Sequence, residues 1–243
     1  MCMVVRDLHP FKGEREFQWR GGSPTRVEAL SDMVFAFALT LLVVSSAPPA
    51  SFSDLNQQLW EFPGFAAAFA ILLLIWHSHY IFFRRYALED SWTTALNAAL
   101  LFIILFFVYP LKYLATMLSH FVRSFMAGRP EPPFTFEEAA YSLALLSIGY
   151  AAVFLMFFAL YAHALRKADG LELNERERQL TRFALWQQGV HIAIGSTTAI
   201  AALTLPPPWS TLAGFIYGLI GPLIFIGSAI FVPARRRAPT PGM

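Results

Sequence analysis

The sequence predicts an all-α, polytopic membrane protein, and three observations carry that prediction. Of its 243 residues 56% are hydrophobic and only 14% charged, with a mean hydropathy of +0.51, where soluble chains carry roughly a quarter charged residues. Apolar runs long enough to cross about 30 Å of hydrocarbon, which takes about 20 helical residues, recur six times. The Lys and Arg residues, finally, collect in alternate intervening segments rather than being spread evenly.

The six expected spans cover residues 24–46, 56–83, 92–119, 138–163, 183–205 and 209–232. Ser23-Pro24 offers a hydroxyl cap and a proline whose missing N–H is not needed in a first helical turn. Pro48-Pro49 and Pro206-Pro207-Pro208 cannot continue a helix, so the fifth and sixth spans should form a tight hairpin. The fifth carries Gln187, Gln188 and His191 within its apolar run. Three regions result: an N-terminal segment 1–23, a transmembrane domain 24–232 and a basic tail 233–243. The mixed-charge stretch 166–182 reads as a solvated amphipathic extension of the fourth span.

Orientation follows the basic residues. With the N-terminus in the cytoplasm, 15 of the 18 Lys and Arg residues face inward and only Lys112, Arg123 and Arg129 face outward. Both termini are then cytoplasmic. This accounts for the positive residues without nucleic acid, and the net charge is only +2. The first 22 residues include Asp7, Glu14 and Glu16 and lack an apolar h-region, so they do not read as a cleaved signal peptide. The lone Cys2 excludes an internal disulfide and a Cys-based metal site. His77 and His79 sit about 200° apart on a helix and cannot share a metal. No nucleophile–base cluster suggests an enzyme, and no cofactor is expected.

Asp32 is the residue that most needs explaining, because it opens the apolar run Met33–Val44 and an unpaired charge at membrane depth costs several kcal/mol. Trp76 and His79, three apart, share one face of the second span, and Asn97 is a lone amide in the third. Together with Arg26, Ser31 and Asp32 they form donors and acceptors near the ends of three consecutive helices. They read as an interhelical clamp that removes the desolvation penalty on Asp32.

Arg26-Val27-Glu28-Ala29-Leu30-Ser31-Asp32, followed by Val34-Phe35-Ala36 and Thr40-Leu41-Leu42-Val43, resembles the first helix of the transmembrane protein 175 family, potassium channels of lysosomes and prokaryotes. The family pattern is an Arg, three residues, then Phe-Ser-Asp. The resemblance continues through Trp76-x-x-His79, Arg84-Arg85 and Asn97, covering about residues 26–117. Two departures stand out. Leu30 replaces the usual Phe, and Pro110-Leu111-Lys112 stands where a Pro-Phe-Pro run is common at the outer end of the third span.

The resemblance implies a homotetramer of single six-helix chains in the bilayer of a bacterial inner membrane, with helix one lining the pore and monovalent cations, chiefly potassium, as the permeant species. It places the constriction at Phe37, five residues after Asp32. Leu41 and Val44 follow as further apolar rings, and Thr40 supplies hydroxyls one turn on. At 100° per residue Met33, Phe37, Thr40, Leu41 and Val44 fall within an arc of about 100°, with Ser31 almost opposite. The same stripe reads equally well as lipid-facing or core surface. No Thr-Val-Gly-Tyr-Gly filter is present; the nearest fragment is Gly149-Tyr150. The competing expectation is a proton-coupled transporter using Asp32, His79 and His191.

Overall fold

In the computed structural model, residues 17–44, 48–128 and 135–231 are described. They are all helical, with no strand among them. The elements are α1 (Arg26–Val44), α2 (Phe52–Trp60), α3 (Phe62–Tyr86), α4 (Ser91–Met126), α5 (Phe136–Arg166), α6 (Glu175–Thr204), α7 (Trp209–Leu212), a 3-10 segment (Ala213–Leu219) and α8 (Ile220–Phe231). Among the described residues, four stretches are long and apolar enough to cross a membrane: α3, α4, α5 and the continuous run Trp209–Phe231. The first and fifth expected spans form helices but fall outside that group. Arg26, Glu28 and Asp32 crowd the 19-residue α1, and α6 begins with the charged run Glu175-Arg176-Glu177-Arg178.

The helix ends are set by short-range chemistry. Thr25 and Glu28 cap α1 reciprocally, the Thr25 N–H donating to Glu28 Oε2 at 2.7 Å and the Glu28 N–H to Thr25 Oγ1 at 3.2 Å. This moves the start of α1 two residues past the expected one, with the cap at Thr25 instead of Ser23 and the first helical residue at Arg26 instead of Pro24. Asp90 caps α4, and capping boxes open α5 (Thr135, Glu138) and α6 (Asn174, Glu177). At α3 the cap comes from another helix: the Gly64 N–H donates to Ser119 Oγ at 2.9 Å, and that hydroxyl donates to the Glu61 carbonyl at 3.0 Å. Here α3 and α4 nearly touch, since a Cβ added at Gly64 would lie 1.8 Å from the Ala115 carbonyl oxygen.

Three expectations change. The second span is preceded by a separate helix, α2, because Pro63 sits in the first turn of α3 and resets the chain there. The third span runs past its expected end at residue 119: α4 continues to Met126, about 54 Å at 1.5 Å per residue, so Pro110 and Lys112 lie well inside the helix. Residues 166–182 are not a solvated extension: α5 ends at Arg166, the chain turns, and α6 starts at Glu175 with Glu177 wholly buried.

The core lies where α1, α3, α4 and α5 meet. Phe82, Phe83, Tyr86, Leu100, Ile104, Phe157 and Leu160 are almost completely covered. Phe82 and Tyr86 both meet the edge of Tyr161, at centroid distances of 5.2 and 5.9 Å. Helix α6 packs along α5 and also contacts α8.

Candidate functional site: the polar network under helix one

Helix α1 packs on α3 and α4 through a stripe of buried residues at helical spacing: Glu28, Ser31, Phe35, Ala38 and Leu42. Ser31 is the polar member. Its hydroxyl donates to the Val27 carbonyl at 2.8 Å and accepts from Asn97 Nδ2 of α4 at 2.9 Å. Because the hydroxyl proton is spent on Val27, the amide nitrogen must be the group facing Ser31. Asn97 Oδ1 then faces His79 Nε2 of α3 at 2.8 Å. A carbonyl oxygen only accepts, so His79 carries its hydrogen on Nε2. The ring is packed between Phe35 and Phe83, with centroids 5.7 and 4.6 Å away.

Asp32 plays a different part from the one its sequence position suggests. It is exposed in the single chain and accepts one hydrogen bond, from Trp76 Nε1 at 2.8 Å. Trp76 stacks on Tyr80, and the Arg84 guanidinium lies 5.3 Å from the centre of the Tyr80 ring. The buried centre of the network is therefore Ser31–Asn97–His79, with Asp32–Trp76 at its rim. Arg26 stands apart: it is exposed, and no hydrogen bond or ion pair among the described residues reaches it.

The opposite face of α1 is uncovered. Met33 is 62% exposed, Phe37 55% and Val43 56%, and Thr40 is exposed between them. Thr40 donates its proton to the Ala36 carbonyl at 2.9 Å, which leaves its oxygen lone pairs facing outward. Leu41 is half-buried against the core at the margin of this stripe. The Val44 side chain lies outside the described residues, as do Cys2 and the tail 233–243.

A second set of contacts was not expected from the sequence. Residues 17–22 form a strap that ties the entry of α1 to the opposite half of the molecule. Arg20 Nη2 pairs with Glu177 Oε2 at 2.8 Å, the Gln18 N–H donates to Glu177 Oε1 at 2.9 Å, and Arg20 Nε donates to the Leu171 carbonyl at 2.9 Å. Arg84 donates to the Gly21 and Gly22 carbonyls, and Phe17 is buried edge-on against Tyr86. Burial pushes the Glu177 carboxyl up, but the donors from Arg20, Gln18 and Asn174 outweigh it and hold the group below its ordinary value. Asp90 behaves alike. Burial raises it, while bonds from His163, Thr93 and Lys167 hold it well below the carboxylate range. The Thr25-x-x-Glu28 pattern is a readable signal for the cap; Arg20 and Glu177 are 157 residues apart, and nothing local links them.

Among the described residues no group of three His, Cys, Asp or Glu side chains could hold a metal ion. His79 and His191 serve separate clusters: the partner of His191 is Tyr150 of α5, and its ring stacks on Phe154 at 4.1 Å.

Apolar helices of spanning length around a buried polar network define the class: an integral membrane protein of helical type. The profile of the family described as endosomal/lysosomal potassium channel TMEM175 matches residues 26–107, the stretch that holds the network. A potassium channel of Marivirga tractuosa is 36% identical over 231 residues, spanning 91% of this chain and 93% of the relative. A potassium channel of Streptomyces collinus is 29% identical over 192 residues, 74% of this chain and 85% of the relative. Among solved structures, a variant of the potassium channel MtTMEM175 in complex with a nanobody–MBP fusion superposes with a TM-score of 0.78 at 33% identity, covering 88% of this chain and 96% of that one. A TMEM175 homologue from Chamaesiphon minutus shares the fold at a TM-score of 0.51 and 21% identity, over 85% and 97% of the two chains. The chain belongs to the TMEM175 family of potassium channels.

Proposed function

We propose that the chain is a potassium-permeable, leak-type cation channel of a bacterial inner membrane, assembled from four copies around an axis lined by α1. The six spans then include α1 and α6, and both termini lie in the cytoplasm. The reading is carried by one observation: the network under α1 fixes one face of that helix and leaves Met33, Phe37, Thr40 and Val43 bare. Such a face needs either lipid or other copies of itself. A Thr with outward lone pairs, whose oxygen can replace part of an ion's hydration shell, gives it a use that lipid would not.

Four Phe37 side chains, with Leu41 and Val44 beyond, would close the path by steric block and dewetting. Thr40 would bind the ion. Selectivity would not rest on a carbonyl filter: Gly149 and Tyr150 lie inside α5, where the carbonyls serve the helix ladder. Asp32, Trp76, Ser31, Asn97 and His79 set the rotation of α1 about its own axis, and so the direction in which Phe37 points.

The test is potassium flux from liposomes holding purified protein, with sodium and N-methylglucamine for comparison. Flux favouring potassium, and several-fold faster in Phe37→Ala, is the expected result. Normal tetramers whose flux is unchanged by Phe37→Ala would overturn the constriction, and slow, saturable, proton-driven flux would overturn the channel.

A further inference from the structure

We propose that the groove between α5, α6 and α8 is a binding site for one anionic phospholipid, remote from the face of α1 on which the proposed function rests. The groove has a volume of about 490 Å³ and is lined by Phe158 of α5, Leu185, Trp186 and Gly189 of α6, and Leu223 and Phe231 of α8. The lining is apolar except for Arg182, the first residue of α6 to reach it. Arg182 is exposed, and no hydrogen bond or ion pair among the described residues reaches it. Nearby cations differ in this respect, since Arg178 is paired with Asp169 and Lys167 with Asp90.

Two further observations choose the occupant. The lining runs from Arg182 to Ala193, eleven residues or about 16 Å of helix, which matches one leaflet of a hydrocarbon core about 30 Å thick. Four residues after Phe231, which lines the groove, the sequence reads Arg235-Arg236-Arg237. A guanidinium with no partner among the described residues, in a groove whose last lining residue is followed by a basic cluster, suits a phosphate headgroup, and a groove of leaflet depth suits its acyl chain. The floor is open: a Cβ added at Gly189 would meet nothing within 4 Å. By contrast, one at Gly227 would lie 2.1 Å from Trp186 Nε1, so α8 and the indole are locked together and the groove keeps its shape.

Trp186 is a built-in reporter. The experiment places the full chain in nanodiscs of unlabelled phosphatidylcholine with a small fraction of brominated phosphatidylglycerol or brominated phosphatidylcholine, and isolates the Trp186 signal by difference from Trp186→Phe. Brominated phosphatidylglycerol should quench Trp186 at about one third of the mole fraction that brominated phosphatidylcholine needs. Arg182→Gln should bring the two lipids level, and Gly189→Leu, whose Cβ meets nothing within 4 Å and whose side chain extends into the groove, should weaken quenching by both at an unchanged thermal midpoint. Equal quenching by the two lipids in the wild type would reduce the groove to ordinary bilayer contact. An anionic preference that survives Arg182→Gln would place the headgroup elsewhere, and quenching untouched by Gly189→Leu would remove the acyl chain from the groove; either overturns the proposal.

Discussion

Asn97→Ala removes the centre of the buried network, and the structure sets its cost. Asn97 is 2% exposed, His79 2% and Ser31 0%, so no water replaces the lost amide. Two interhelical bonds at the bilayer average of about 0.6 kcal/mol each would predict a loss of only ~1 kcal/mol. That average applies where the remaining groups find other partners, which these two do unequally. Ser31 keeps its bond to Val27 and loses only an acceptor role, whereas the His79 Nε2–H is left wholly unsatisfied at about 1–3 kcal/mol. The loss should therefore be about 2–4 kcal/mol. Asp32→Asn should cost less than about 0.5 kcal/mol in the single chain, because the exposed amide oxygen still accepts from Trp76; expecting the carboxylate itself to hold the fold overrates a rim position. Reversible unfolding of the purified protein in mixed micelles, wild type against Asn97→Ala, Ser31→Ala and Asp32→Asn, measures all three. If Asp32→Asn proved as damaging as Asn97→Ala, the division into centre and rim would be refuted.

Glu177→Gln leaves the Arg20 guanidinium facing a neutral partner in a covered site and should cost about 3–5 kcal/mol, while Arg178→Gln, whose partner Asp169 is solvent-exposed, should leave the unfolding midpoint unmoved. The Glu177 and Asp90 carboxyls are both held below their ordinary values, so their stabilisation is complete above the unfolded value of about 4 and is lost as the pH falls through the folded values. An acid titration of the thermal midpoint should fall below about pH 4, with a shallower fall in Glu177→Gln. Gly64→Ala drives a methyl into the Ala115 carbonyl and should cost at least about 2 kcal/mol, whereas Gly221→Ala, where nothing lies within 4 Å of the new Cβ, should gain about 0.5–1 kcal/mol from helix propensity; equal effects at the two sites would show that α3 and α4 do not approach at Gly64.

The class of fold was legible because hydropathy and proline are local signals: α5 comes within three residues of expectation at both ends and the turn of the final hairpin within one, while the ends of α3 and α4 differ by up to seven. The third span was expected to stop at residue 119, but α4 continues to Met126 against neighbours α1, α3 and α5, and Pro63 acted where no break was expected. In the network, Ser31, Asn97, His79, Trp76 and Asp32 could be grouped by type and depth, but not ranked. Which of them is buried depends on the rotation of α1 against α3 and α4, a property of packing rather than of spacing. Arg26 matches a pattern of the family, yet it has no partner among the described residues. The Arg20–Glu177 pair was invisible for a simpler reason: each sits in a charged segment that reads as solvated until the chain folds back.

That fold-back sets a timetable for biogenesis. Ser31 enters the membrane 66 residues ahead of the amide that completes it, so the first helix waits in lipid as an unfinished piece until the α3–α4 hairpin arrives. The strap waits longer. At a synthesis rate of roughly 5–20 residues per second, Arg20 has been made on the order of 8–30 s before Glu177 exists. The Arg20–Glu177 contact therefore acts as a completion latch, closing only on a chain whose α5–α6 turn has been delivered, and truncation before that turn leaves the entry of the first helix untethered.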